Sequence, residues 1–166
     1  VEQVLDETGC PAECLTVELT ENLMVPEPEQ IRRAFGELRR IGVGISIDDF
    51  GTGYSNLRYL ESFPLSEIKV DRSFVHDLAH STAMRAIVES IVKLGAALDI
   101  RVVAEGIETE AERAIMRAFG CSVGQGYLFA APMDASEFQR VLDDGLTLRE
   151  GWNAQRLLTM PDGASP

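Results

Sequence analysis

The sequence is short of positive charge. Among its 166 residues, 15 Lys and Arg oppose 27 Asp and Glu, which gives a net charge of -12. Such a field repels polyanions and therefore disfavours binding to DNA or to an anionic membrane surface. An anionic substrate is compatible with this charge where clustered carboxylates gather metal ions that invert the local field. The composition otherwise is typical of one globular domain.

Long apolar runs are also missing. Charge or glycine interrupts each run well before the ~18 residues that a membrane span needs, and no secretory leader opens the chain. Cysteine is scarce, and Cys10, Cys14 and Cys121 follow no paired zinc spacing. An odd number of cysteines indicates packing thiols in a reducing compartment rather than a disulfide framework. We therefore expect a cytoplasmic location.

Five short apolar runs predict buried strands, and helical stretches separate them. No hairpin dipeptides join the strands, which indicates parallel pairing through right-handed crossovers and an α/β fold class. Five βα units are too few for an eight-stranded barrel, so length alone favours a doubly wound open sheet. The predicted strands cover residues 14–19, 43–47, 67–70, 101–104 and 122–125.

Helical periodicity follows Pro28 until Gly42, and it returns in residues 82–99. Thr109 and Glu112 have the form of a capping box before a third helix. A fourth helix is predicted from about residue 134, where the periodicity places three apolar residues on an inward face: Phe138, Val141 and Leu142. The pattern then fades, so residues 1–144 are interpreted as the domain and residues 145–166 as a linker or disordered extension.

Polar residues end each predicted strand. The carboxyl ends of parallel strands meet at one edge, so these residues should converge and could support metal and phosphate chemistry. Alternatively, each carboxylate caps the following helix. That alternative does not account for Asp48 and Asp49 together, because two adjacent charges at the end of a buried strand require cations or donors. The strand-end residues are Glu18, Asp48, Asp49, Lys69, Asp71, Glu105 and Gln125.

Other polar features carry weaker signals. Residues 51–53 (Gly-Thr-Gly) predict a flexible turn that could approach a ligand or act as a gate, but the nucleoside triphosphate pattern Gly-x4-Gly-Lys-Ser/Thr is absent. His76 and His80 lie four residues apart, as metal ligands on a helix can. No Glu follows His76 as zinc protease chemistry requires, so a solvated helix surface is the favoured interpretation. Trp152 is interpreted as a packing anchor.

Five motifs occur in order along the chain. They are residues 18–21 (Glu-Leu-Thr-Glu), 48–55 (Asp-Asp-Phe-Gly-Thr-Gly-Tyr-Ser), 69–71 (Lys-Val-Asp), 104–108 (Ala-Glu-Gly-Ile-Glu) and 125–129 (Gln-Gly-Tyr-Leu-Phe). Together they resemble the EAL domain family of cyclic di-GMP phosphodiesterases over about residues 1–142. The resemblance implies a modified TIM barrel, present as about five βα units, and it replaces the open sheet that length alone favours.

The resemblance implies hydrolysis of cyclic di-GMP to linear pGpG with two divalent cations, Mg²⁺ or Mn²⁺. It implies that Lys69 orients water or neutralises phosphate charge, and that Glu105 assists as the base. The implied metal ligands are Glu18, Asp48, Asp49 and Asp71. The implied loop-stabilising or supporting residues are Glu21, Gly51, Thr52, Gly53 and Glu108, and the implied substrate-binding residues are Gln125 and Tyr127.

The sequence also departs from the family. The Glu-x-Leu signature and the following Asn-containing strand are missing, so we expect that the first third of the barrel is absent and that this chain alone has little or no activity. Ala131 stands where relatives commonly carry a basic residue. The resemblance further implies a homodimer and neighbouring sensory or GGDEF-type domains.

Two other functions are compatible with the strand-end residues. One is an inactive EAL domain that senses cyclic di-GMP or contacts another protein. The other is a phosphoacceptor receiver domain, but there the acidic pair closes the first strand and the lysine the last. Here Glu18 precedes the Asp pair, and two strands follow Lys69.

Overall fold

The computed structural model describes residues 1–21, 28–52 and 58–143, which fall into two compact units. The first contains Val1–Val70 and Leu94–Arg101, and the second contains Asp71–Lys93 and the residues from Val102 onward. The predicted extension from residue 145, with Trp152, lies outside the described residues. Within the described ranges, no helix is long and apolar enough to cross a membrane.

The first unit consists of parallel βα segments. β1 pairs in parallel with β2, and β2 pairs in parallel with β3. Parallel strands covered on both faces are apolar along most of their length, and Ser46 and the isoleucines on either side of it in β2 are buried. Its elements are α1 (Glu2–Thr8), β1 (Thr16–Thr20), α2 (Pro28–Arg40), β2 (Gly44–Phe50), α3 (Arg58–Ser62) and β3 (Glu67–Val70), with a 3-10 helix over Ala12–Cys14.

Helix α2 follows the predicted amphipathic pattern. Phe35 is buried and meets Phe63 edge to face, with ring centroids 5.5 Å apart. Such aromatic pairs add about 0.5–1.5 kcal/mol beyond their buried area. Gly42 has a φ of +95°, which glycine adopts without strain, and the chain turns there into β2.

Strand β2 is longer than the sequence predicts. It ends at Phe50 rather than Ile47, so Asp48 and Asp49 directly precede its final residue. Pairing explains the extension, because Thr20 lies opposite Asp48 and Val70 lies opposite Phe50. The two aspartates are therefore part of the strand itself.

The second unit also contains parallel strands. Val103 lies opposite Val123, and Ala104 lies opposite Gly124. Strand β5 is shorter than predicted because its ladder with β4 contains only these two pairs. The remaining elements are α4 (Arg72–His76), α5 (Thr82–Ala97), β4 (Arg101–Ala104), α6 (Glu110–Ala118), β5 (Val123–Gly124) and α7 (Ala135–Asp143), with a 3-10 helix over Asp77–Ala79.

The capping box of α6 is confirmed. The Glu112 backbone N donates to Thr109 Oγ1 at 3.2 Å, and the Thr109 backbone N donates to Glu112 Oε2 at 2.8 Å. This reciprocal pair satisfies two backbone donors at the start of the helix. It also fixes the direction in which the preceding loop enters α6.

The predicted inward face of α7 is wrong. Phe138 and Leu142 are 44% and 49% exposed, and no residue of the helix is buried. Periodicity identified the amphipathic helix correctly, but it cannot show whether a surface covers the apolar face.

The prediction of packing thiols holds for one cysteine of three. Cys121 is buried, and burial raises the pKa of its thiol to about 11, so the thiolate is scarce near neutral pH. Cys10 and Cys14 are exposed, and the prediction is wrong for them. Both lie in the connection between α1 and β1, where Cys14 ends the 3-10 helix.

Candidate functional site

Lys69 lies between two carboxylates in the first unit. Its Nζ is 3.1 Å from Glu18 Oε2 and 3.1 Å from Asp48 Oδ1. The Lys69 side chain is only 9% exposed, whereas those of Glu18 and Asp48 are 46% and 27% exposed. The ammonium therefore supplies the compensating cation that the sequence predicts near Asp48. Three neighbouring strands each contribute one of these charged groups.

Strand β2 carries an extra residue beside these groups. Between the pairs Ile47–Ile68 and Phe50–Val70, three steps along β2 match two along β3. We call this irregularity the β2 bulge (Asp48–Asp49). A bulge bends the strand and re-aims side chains, which is why bulges are frequent beside active sites.

The backbone at Asp49 is left-handed, with a φ of +54°. This region is unfavourable for most side chains, but aspartate enters it more readily than larger or branched residues. The carbonyl of Asp49 accepts hydrogen bonds from Thr52 N at 3.2 Å and from Thr52 Oγ1 at 2.8 Å. Thr52 thus closes a tight turn directly after the two aspartates.

Glu21 contacts this turn. Its side chain is buried, and Oε2 accepts a hydrogen bond from the backbone N of Gly51 at 3.1 Å. Gly51 has a φ of +98°, which suits glycine. The motif of residues 18–21 thus supplies both a carboxylate beside Lys69 and an acceptor for the turn. Gly53, also expected to act in this turn, lies outside the described residues.

In the second unit, Asp71 caps helix α4. Its Oδ1 accepts from the backbone N of Ser73 at 3.0 Å and from the Ser73 hydroxyl. Burial raises the pKa of this carboxyl, but the bonds from Ser73 and the charge of Arg72 outweigh burial and lower the pKa overall. Asp71 is therefore anionic and held in one orientation.

Glu105 and Gln125 are in contact. Gln125 Nε2 donates to Glu105 Oε1 at 2.6 Å. The backbone fixes Gln125 as well, because its N donates to Ala104 O at 2.8 Å and its O accepts from Ile107 N at 3.0 Å. Gln125 is thus a neighbour that orients Glu105. Tyr127, two residues further on, is 58% exposed.

The predicted solvated helix surface is confirmed for His80, which is exposed. The His76 side chain is 38% exposed, but it also contacts two glutamates, which the sequence does not predict. Its Nδ1 lies 2.9 Å from Glu112 Oε1, and its Nε2 lies 3.7 Å from Glu108 Oε1. Glu112 is buried, and its Oε2 accepts from the backbone N of Glu108 and of Thr109, at 2.8 Å each. Sequence reasoning missed this link because the two side chains lie 36 positions apart. The capping box was the only local signal at Glu112.

Acid is expected to remove the stability contributed by Glu112. Burial raises the pKa of this carboxyl, but the bonds from His76, Glu108 and Thr109 outweigh burial and lower it overall. The contribution of its charge, about 0.3–1 kcal/mol for a carboxylate in the first turn of a helix, is therefore complete above the unfolded pKa of 4.5 and is lost as the pH falls through the folded pKa. Urea unfolding of the wild type and Glu112→Gln should give free energies that differ near neutral pH and converge in acid. A constant difference across this range would contradict the assignment.

The donor set of the first unit suits hard divalent cations. Glu18, Asp48 and Asp49 offer carboxylate oxygens, the ligands that Mg²⁺ and Mn²⁺ prefer. Glu18 and Asp48 are partly exposed, so solvent and small ions reach them. The three residues offer oxygen donors, whereas structural zinc sites are built from cysteine and histidine.

A model of the EAL domain family matches residues 1–132. The bifunctional diguanylate cyclase/cyclic di-GMP phosphodiesterase MucR of Pseudomonas aeruginosa is 46% identical over 123 residues, which cover 74% of this chain and 18% of MucR. This chain therefore spans less than a fifth of that relative.

Solved structures give the same result. The PaMucR phosphodiesterase in complex with c-di-GMP matches with a TM-score of 0.79 and 42% identity, over 83% of this chain and 56% of that chain. The manganese/cy-diGMP complex of Klebsiella pneumoniae BlrP1 matches with a TM-score of 0.75 and 38% identity, over 78% and 33% of the two chains. The interpretation as parallel βα units of a modified TIM barrel is confirmed. With its ordered motifs and these matches, the chain belongs to the EAL domain family.

Proposed function

We propose that this chain is part of a phosphodiesterase that hydrolyses cyclic di-GMP to linear pGpG with divalent cations, Mg²⁺ or Mn²⁺. The observation that carries the proposal is Lys69 held 3.1 Å from both Glu18 and Asp48, beside the bulged end of β2. Carboxylates and a shielded ammonium at the ends of parallel strands suit phosphodiester chemistry. The names of MucR and of the BlrP1 complex support the substrate and the cation class.

In this proposal the carboxylates would hold two divalent cations. Glu18 and Asp48 offer oxygens from neighbouring strands, and the bulge re-aims Asp49. Asp71 contributes a carboxylate that Ser73 keeps oriented and anionic. When bound, such cations neutralise phosphate charge and make a coordinated water more acidic.

Hydrolysis would proceed by attack of a water oxygen on phosphorus. A new P–O bond forms as the bond from phosphorus to the ribose 3′ oxygen breaks, and that oxygen takes up a proton from solvent, which leaves a 5′-phosphate and a 3′-hydroxyl in pGpG. Glu105 takes the water proton, with Gln125 fixing its carboxylate through the 2.6 Å hydrogen bond. Lys69 neutralises charge on the phosphate, a role that suits a compact ammonium.

The remaining residues of the five motifs would support the loops around the site or bind the substrate. Glu21 holds the turn at Gly51 and Thr52. Gly53 lies outside the described residues, and the loop role that the family resemblance implies for it stays a prediction. Glu108 supports the loop after β4. The exposed ring of Tyr127 offers a stacking surface for a guanine base. We also propose a cytoplasmic homodimer in which this domain accompanies sensory or GGDEF-type domains, in line with the much greater length of MucR.

The test is an assay of the protein that carries this chain. Purified protein should convert cyclic di-GMP to pGpG when Mg²⁺ or Mn²⁺ is present, and a chelator should stop the reaction until the cation is restored. Chromatography of the nucleotides measures both species. Calorimetry that shows nucleotide binding without any linear product would reject hydrolysis and favour the sensor function.

A further inference from the structure

His76 has no part in the chemistry proposed above, yet it joins two elements of the second unit. It lies in the last turn of α4, the helix whose first turn is capped by Asp71. Its Nδ1 contacts Glu112 Oε1 at 2.9 Å, and the Glu112 side chain is only 8% exposed. The His76 side chain is 38% exposed, so the bond is shielded from water on the Glu112 side, and this partial shielding strengthens it electrostatically.

Glu112 also binds the loop that follows β4. Its second oxygen accepts from the backbone N of Glu108 and of Thr109, at 2.8 Å each. Those residues end the loop that begins at Glu105. One carboxylate thus holds the imidazole with one oxygen and the end of the loop with the other.

A second contact holds the same loop to α4. Gly106 has a φ of +67°, and a Cβ at this position would collide with Cβ of Arg72. The loop backbone therefore lies directly against the first turn of α4, while His76 holds the last turn. The loop is therefore held at both ends of the five-residue helix α4.

The ring nitrogens of His76 are not equivalent. Glu112 is a carboxylate that only accepts hydrogen bonds, so Nδ1 carries the proton. The distance of 3.7 Å from Nε2 to Glu108 Oε1 is too long for a direct hydrogen bond. Nδ1 is therefore the anchoring atom.

We propose that His76 is a positioning residue for Glu105. Through Nδ1 and Glu112 it sets the conformation of residues 105–108, and with it the direction of the Glu105 carboxylate. The inference rests on the proposed function for its effect on turnover, but the effect on the loop is independent of that function.

The test compares three substitutions in the protein that carries this chain. Asparagine places an amide N–H near the position of Nδ1, glutamine places it near Nε2, and leucine removes both donors. His76→Leu should lower kcat roughly 10- to 100-fold with little change in KM, as loss of an orienting partner does. His76→Asn should recover most of kcat, whereas His76→Gln should not.

His80→Leu is the matched control, because His80 is exposed and four residues further on, and it should leave kcat unchanged.

Amide hydrogen exchange gives a readout that needs no turnover. The Glu108 and Thr109 amides should exchange faster in His76→Leu and His76→Gln than in His76→Asn or the wild type. If His76→Leu unfolds, the Asn and Gln variants still decide the question. Equal kcat and equal exchange in those two variants, or a loss of thermal stability alone, would overturn the proposal. A wild type without turnover would instead reject the proposed function, and the exchange rates would still test the link.

Discussion

Replacement of Asp48 by asparagine in the protein that carries this chain is expected to lower kcat for the proposed cyclic di-GMP hydrolysis by roughly 10³-fold, the scale of losing a group that acts on charge in the transition state. Asparagine keeps the shape of the side chain and an oxygen that accepts from Lys69, which lies 3.1 Å from Asp48 Oδ1. The substitution removes only the negative charge that would attract a cation. Steady-state kinetics at saturating Mn²⁺ measures the loss.

The control for this prediction is Asp143→Asn. Asp143 is an exposed aspartate of α7, and its Oδ1 accepts from Gln139 Nε2 at 2.8 Å, so the same charge is removed from a hydrogen-bonded side chain. We expect unchanged kcat for this variant and nearly wild-type thermal unfolding for both. A kcat for Asp48→Asn within a few-fold of the wild type would exclude Asp48 as a metal ligand.

Replacement of Gly126 by alanine is expected to destabilise the fold by about 3 kcal/mol or more, because overpacking and backbone strain both contribute. A Cβ on Gly126 would collide with the backbone N, C and O of Ile107. Gly126 also has a φ of +153°, which side chains disfavour. Backbone atoms cannot move aside as the end of a flexible side chain can, since Ile107 N itself bonds to Gln125 O. Urea unfolding followed by circular dichroism measures the free energy.

Gly36 provides the matched control. It lies within α2, and a Cβ added there meets no atom within 4 Å. Gly36→Ala should raise the free energy of unfolding by up to about 1 kcal/mol, since alanine is the better helix former. Equal effects of the two substitutions would show that contact with Ile107 does not constrain Gly126.

The features that the sequence predicted best are those that depend on residues close together in the chain. The strand positions follow from short apolar runs, and the capping box follows from the spacing of Thr109 and Glu112. The approach of Glu18, Asp48 and Lys69 was also predictable, because parallel strands bring their carboxyl ends to one edge. No side-chain geometry was needed for these predictions.

Features that depend on distant residues were not predictable. The bond from His76 to Glu112 joins residues 36 positions apart, and nothing in the local pattern of α4 indicates it. The β2 bulge depends on the register with β3, which periodicity along one strand does not specify. For α7 the sequence predicts a buried apolar face that the structure does not contain. An amphipathic pattern shows which residues share a face, but it does not show whether another element covers that face.

The β2 bulge has a consequence for comparing genomes. The loss of one residue between Ile47 and Phe50 would restore regular pairing with β3 and keep the flanking pairs Ile47–Ile68 and Phe50–Val70. Such a sequence would present one residue, and so one carboxylate, where this chain presents two. A single-residue gap at this point of an alignment, even with every other motif intact, should therefore identify family members that have lost hydrolysis.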